Sequence, residues 1–127
     1  MPLSSMLISG KLETGWKGEG AKKLVEHLHS KGVPIALATS SSKESVDLKM
    51  KNFPEFLGLF QHLTMGSTDP EVTKGKPDPA IFLVCASRFS DKPKAEDCLV
   101  FEDAVNGMKA AINANMQVGL FRPSHTS

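Results

Sequence analysis

Apolar and polar positions change their period several times along this chain of 127 residues. From Gly20, the residues Ala21, Leu24, Val25 and Leu28 recur at helical spacing with Lys22, Lys23 and Glu26 opposite, which predicts an amphipathic helix. Gly32 stands where a left-handed residue ends such a helix. Val33 to Ala38 is apolar throughout, the pattern of a parallel strand covered on both faces, and Pro34 is tolerable near its start. The hydroxyl run Thr39-Ser40-Ser41-Ser42 closes that strand and opens a helix near 43–51. An apolar segment through Phe53, Phe56, Leu57, Leu59 and Phe60 follows, then a weaker short strand around His62–Met65.

Residues 66–79 are rich in turn formers, among them Asp69-Pro70 and Lys76-Pro77-Asp78-Pro79. Ile81, Phe82, Cys85 and Phe89 mark the apolar face of the next helix, with Asp78 as its expected N-cap and Pro79 in its first turn. Cys98 to Phe101 reads as a strand closed by Glu102-Asp103. Val105, Met108, Ala111 and Ile112 make another helix, which Asn115 ends, and Met116 to Phe121 is the last strand. Strands alternating with helices predict an α/β fold with a parallel sheet and right-handed crossovers. Residues 1–19 lack a period: serines and glycines punctuate them, and only Leu3 and Met6-Leu7-Ile8 could pack, so they read as an unstructured or loosely packed lead-in. The expected organisation is that lead-in, one domain over residues 20–121, and a tail over 122–127.

Composition narrows the function classes. Hydrophobic residues at 40% and charged residues at 23% describe an ordinary globular chain. Fifteen basic against fourteen acidic side chains leave a net charge of +1, too little for an electrostatic footprint on nucleic acid or acidic lipid. Apolar runs such as Ile35-Ala36-Leu37-Ala38 fall far below the roughly 20 residues of a membrane span. The N-terminus lacks the basic and apolar regions of a secretory signal. Cys85 and Cys98 have no metal-type spacing and lie among apolar residues, so they read as buried thiols and the expected location is cytoplasmic. His27 and His29, two apart on a helix, do not face each other and read as surface or packing residues. Trp16 is expected to pack on the domain's flank.

Three polar groups fall at the carboxyl ends of predicted strands, where open parallel sheets bind ligands. Thr39, Ser40 and Ser41 could hold a phosphate with hydroxyls and backbone N–H groups, or only cap the helix that follows. Lys76, stiffened by the prolines after it, could aim its ammonium at a fixed point, or be a solvated surface lysine. Glu102 and Asp103 could be hard oxygen ligands for Mg²⁺, or acids favoured by the dipole of the next helix.

In order, these groups are A-T-S-S at a strand end, G-K-P-D-P before a helix, and L-V-F-E-D-A-x-N-G across a strand-to-helix junction. The set resembles the second, third and fourth motifs of the haloacid dehalogenase-like hydrolases, over about Gly20 to Phe121. The resemblance implies a Rossmann-like sheet with flanking helices and a phosphomonoesterase activity through an aspartyl-phosphate. It implies phosphate binding by Thr39, Ser40, Ser41 and Lys76, with Lys76 as the catalytic cation. Glu102 and Asp103 would hold Mg²⁺, Asn106 would shape the turn, and the substrate would be a small phosphomonoester such as a nucleotide monophosphate.

The family's first motif, an apolar strand ending in D-x-D-G, supplies both catalytic aspartates and should precede Thr39. The first aspartate of this chain is Asp47, and Glu13, Glu19 and Glu26 do not follow an apolar strand. The expectation is therefore a partial fold that lacks its central first strand and its helical cap. Two facing strand edges would then be unpaired, at about 1–3 kcal/mol per orphaned backbone group, and open to self-association. Met6-Leu7-Ile8 is a segment that could enter the slot, and Ser9 and Gly10 would then stand where the acid pair belongs. Without a nucleophile the chain is expected to be inactive by itself and to bind Mg²⁺ weakly. The alternative is a non-catalytic remnant or interaction protein derived from such a phosphatase.

Overall fold

A computed structural model describes residues 5–9, 19–102 and 104–119. Their elements are β1 (Ser5–Ser9), α1 (Glu19–Ser30), β2 (Ile35–Thr39), α2 (Lys43–Met50), the single turn α3 (Pro54–Leu57), β3 (His62–Met65), α4 (Ala80–Ser87), a 3₁₀ turn at Ala95–Asp97, β4 (Cys98–Phe101), α5 (Val105–Asn113) and β5 (Gln117–Gly119). The five strands form one parallel sheet in the order β3-β2-β1-β4-β5. The α/β parallel fold follows the hydrophobic pattern closely.

The expected gap in that sheet is not there. β1 fills the middle, with Met6 to Ser9 beside Ile35 to Ala38 on one side and Ser5 to Ile8 beside Cys98 to Phe101 on the other. Part of the segment read as a loose lead-in is thus the central strand, and α1 already begins at Glu19. The slot explains why. β2 and β4 each present a row of backbone donors and acceptors at spacing for one parallel strand, and Met6-Leu7-Ile8 supplies enough apolar surface for both faces. The facing edges, which were the reason to expect self-association, are paired by this strand. Trp16, Gly10 and the residues from Leu120 onward lie outside the described residues, as does Asp103.

Alternation along the strands divides the core in two. Leu7, Ala36, Ala38, Cys98 and Val100 pack under α4 and α5, against Ile81, Phe82, Cys85, Phe89, Ala110 and Ala111. Ile8, Ile35 and Leu37 point the other way, against Val25 and Leu28 of α1 and Val46 and Met50 of α2. With helices on both faces, β2 is buried from end to end, as its unbroken apolar run requires.

The punctuation is where the sequence put it, with one shift. Gly32 and Asn115 both take positive φ, 74° and 64°, as residues beyond a helix C-terminus do. Ser42 caps α2 by accepting the Ser45 N–H at 3.1 Å. Pro79, instead of Asp78, occupies the N-cap of α4, while Asp78 Oδ1 accepts the Ala80 N–H at 2.9 Å. No helix among the described residues is long and apolar enough to cross a membrane.

Candidate functional site

The chain runs β1, β2, β3 to one side of the sheet and then returns to β4 and β5 on the other. That reversal leaves a crevice beyond the carboxyl ends of β1 and β4, the place where doubly wound sheets bind ligands. Ser9 is the last residue of β1 and Glu102 directly follows β4, so the pairing of these two strands brings both side chains to the crevice.

Three side chains meet there. Ser9 Oγ donates to Glu102 Oε2 at 2.5 Å. Lys76 Nζ donates to Ser9 Oγ at 2.6 Å and to Glu102 Oε2 at 3.2 Å. Glu102 is 1% exposed and the Lys76 side chain 12%, so this ion pair is largely out of water, with the buried Ser9 beside it. Glu102 Oε1 accepts the Ala104 N–H at 3.2 Å. Burial pushes the Glu102 carboxyl up, but the Ser9 hydroxyl, the Lys76 charge and the Ala104 N–H outweigh it and hold the group below its usual range.

The loop before α4 aims Lys76. The Asp78 N–H donates to Gly75 O at 3.0 Å, Asn113 Nδ2 donates to Pro77 O at 3.1 Å, and the Lys76–Pro77 peptide is cis. The lysine also passes over the Phe82 ring, 5.2 Å from its centroid. Lys76 is therefore a fixed, mostly buried cation, not a solvated one.

Thr39 ends β2, one residue past the Ser9–Ala38 pair, and is fully buried. Its Oγ1 accepts the Ser41 N–H at 3.1 Å, and its carbonyl accepts the Gly66 N–H at 2.8 Å. Ser40 is exposed and Ser41 half-buried. The hydroxyl run thus divides its work, with Ser42 capping α2 and Thr39 to Ser41 left at the strand end beside Ser9.

Of the residues singled out by sequence, Lys76 and Glu102 are brought into contact, and Thr39 lies on the strand next to Ser9. Asp103 lies outside the described residues. No group of three or more His, Cys, Asp or Glu able to hold a metal occurs among the described residues. What they offer a cation is one carboxylate and one hydroxyl, with that carboxylate already facing an ammonium. Magnesium asks for near-octahedral oxygen ligands; of the two carboxylates expected to hold it, Glu102 faces Lys76 and Asp103 lies outside the described residues. The cysteines are no substitute nucleophiles, because burial pushes the Cys85 thiol up to about 12 and the Cys98 thiol to about 11.

Two features had no clear sequence signal. Arg88 forks onto Asp69 at 2.6 and 3.0 Å, reaches Glu71 at 2.6 Å and donates to Thr64 at 3.3 Å, which fastens the Asp69–Val72 stretch to the end of α4. Gly107 lies in the first turn of α5 directly against the Glu102 side chain. Gly107 is the last position of the L-V-F-E-D-A-x-N-G motif, but its contact with Glu102 is not something the motif spells out.

The profile of the haloacid dehalogenase-like hydrolases matches residues 19–115. The chain is 54% identical over 99 residues to the probable pseudouridine-5'-phosphatase of Drosophila melanogaster, a match covering 78% of this chain and 43% of the fly protein. It is 46% identical over 100 residues to (DL)-glycerol-3-phosphatase 2 of Arabidopsis thaliana, covering 78% and 41%. Among solved structures, a family hydrolase of Deinococcus radiodurans with bound phosphate and sodium superposes with a TM-score of 0.68 at 28% identity, covering 80% of this chain and 43% of that one. The chain spans less than half the length of these relatives.

Proposed function

This chain belongs to the haloacid dehalogenase-like hydrolase family, and from that footing we propose that it binds small phosphomonoesters at the carboxyl edge of its sheet without hydrolysing them. The reading is of a core similar to pseudouridine-5'-phosphatase, with Lys76 meeting the phosphate charge and Thr39, Ser40 and Ser41 supplying hydroxyl and backbone donors.

The observation that carries it is Ser9. The strand that fills the centre of the sheet ends in a hydroxyl, at the position where the family pattern calls for its attacking aspartate. An aspartate attacking phosphorus forms an acyl phosphate, which water opens readily. A serine would form an ordinary phosphate ester, which has no such leaving group, so a second step would stall. Ser9 is also held between Lys76 and Glu102, with its proton directed at the carboxylate.

Phosphate release from pseudouridine 5'-phosphate with Mg²⁺ present, measured beside a Lys76→Ala variant, tests the absence of turnover. Equal and negligible release from both is the expected result. Release well above the Lys76→Ala level would overturn it. Titration calorimetry with inorganic phosphate tests binding, which should be present in the native chain and lost in Lys76→Ala.

A further inference from the structure

We propose that Gly107 is the positioning residue that seats Glu102, because the space its side chain would occupy is the space through which the carboxylate reaches Ser9 and Lys76. A Cβ built on Gly107 would fall inside the Glu102 side chain, overlapping Oε2 and Cδ and lying 2.5 Å from Cγ. No small adjustment relieves this, since Glu102 is 1% exposed and both its oxygens are engaged, Oε2 with Ser9 and Lys76 and Oε1 with the Ala104 N–H. Gly107 takes no left-handed backbone angle and sits inside a helix, where glycine is the weaker choice. Backbone conformation therefore gives no reason for a glycine here, and the Glu102 side chain does.

The consequence is electrostatic. A seated Glu102 neutralises the Lys76 charge and accepts the Ser9 hydrogen bond, so an incoming anion must compete with a carboxylate of the protein itself. Gly107 acts on the anion only through Glu102. This part rests on the phosphate-binding reading above, whereas the seating of Glu102 does not.

The test is a cycle of Gly107→Ala, Glu102→Ala and the double variant in the full chain, followed by thermal unfolding and by calorimetry with inorganic phosphate in metal-free buffer. In the native background Gly107→Ala should lower the melting temperature or prevent folding. In the Glu102→Ala background the new methyl group occupies vacated space and improves the helix, so the same substitution should raise the melting temperature by about 4 °C. Glu102→Ala should bind phosphate about tenfold more tightly than the native chain, because Lys76 and Ser9 are released to the ligand. Where Gly107→Ala folds, it should show the same gain. Equal destabilisation in both backgrounds would overturn the proposal, as would a folded Gly107→Ala that binds phosphate like the native chain while Glu102→Ala binds more tightly. If no variant binds phosphate, the functional reading fails and the thermal cycle alone decides the seating of Glu102.

Discussion

Lys76 and Glu102 are worth less as a pair than the loss of either alone would suggest. Desolvating two charges offsets much of their attraction, whereas removing one leaves the other buried and unmatched. Lys76→Met is therefore expected to destabilise the chain by about 3 kcal/mol in urea unfolding. Ser9→Ala, which deletes a hydroxyl but keeps the ion pair, should cost about 1 kcal/mol. The reverse order would mean that the hydroxyl, not the charge pair, holds the crevice together. Ser5 provides the opposite case, since its buried Oγ has no hydrogen-bond partner among the described residues. Ser5→Ala should raise stability by about 1 kcal/mol, and a loss on that substitution would reveal a partner for the hydroxyl. The residues that sequence singled out at this site were those with two constraints each. Lys76 lies before two prolines and Glu102 at a strand-to-helix junction, so type and place agree. Ser9 was legible only as the residue that would stand in a slot, because a lone serine among several others carries no chemistry until its neighbours are known. The Arg88–Asp69–Glu71 network joins residues 17 and 19 apart in sequence, and no spacing rule reports such a contact.

At the level of elements, β2 and α4 were readable because their patterns are local. An unbroken apolar run and a helical stripe each identify themselves. β1 was not, because five residues with a serine at each end have too little pattern to outweigh the serines and glycines around them. What makes Ser5–Ser9 a strand is the pair of edges waiting on either side, and strand preference of this kind comes from context more than from the segment itself. Leu7 and Ile8 are both fully buried on opposite faces of the sheet, so β1 joins the two halves of the core. Ile8→Ala should then cost about 3 kcal/mol in urea unfolding, with the midpoint lowered and the slope kept. A loose lead-in would lose less than about 0.5 kcal/mol on the same change.

Across the whole molecule, the three groups whose pKa folding depresses, His62, Asp69 and Glu102, act in one direction with pH on the acid side. Burial lowers the affinity of His62 for a proton; its hydrogen bond to Cys85 O, at 2.7 Å, opposes this, the nearby Arg88 charge adds to it, and the net shift is downward from 6.5. Asp69 is held below 3.8, chiefly by the Arg88 guanidinium, and Glu102 below 4.5. A group whose folded pKa is depressed binds more protons when unfolded, so stability rises with pH through its titration and is lost as pH falls. For Asp69 and Glu102 the contribution is complete above their unfolded values, near 4 and 4.5, and disappears as acid protonates them in the folded chain. His62 loses its contribution earlier, below about 6.5, because the unfolded imidazole takes up a proton that the folded site, with the ring edge-on to Phe89 at 4.7 Å, resists. Stability should therefore fall in two stages on acidification, first through His62 and then through the carboxylates. Urea unfolding at pH 7.5 and pH 5.5 separates the first stage from the second. The native chain should lose stability between these values, and His62→Asn, which does not titrate, should lose markedly less. Parallel losses in the two proteins would assign the early stage to groups other than His62 and leave the ring without a part in the pH response of the fold.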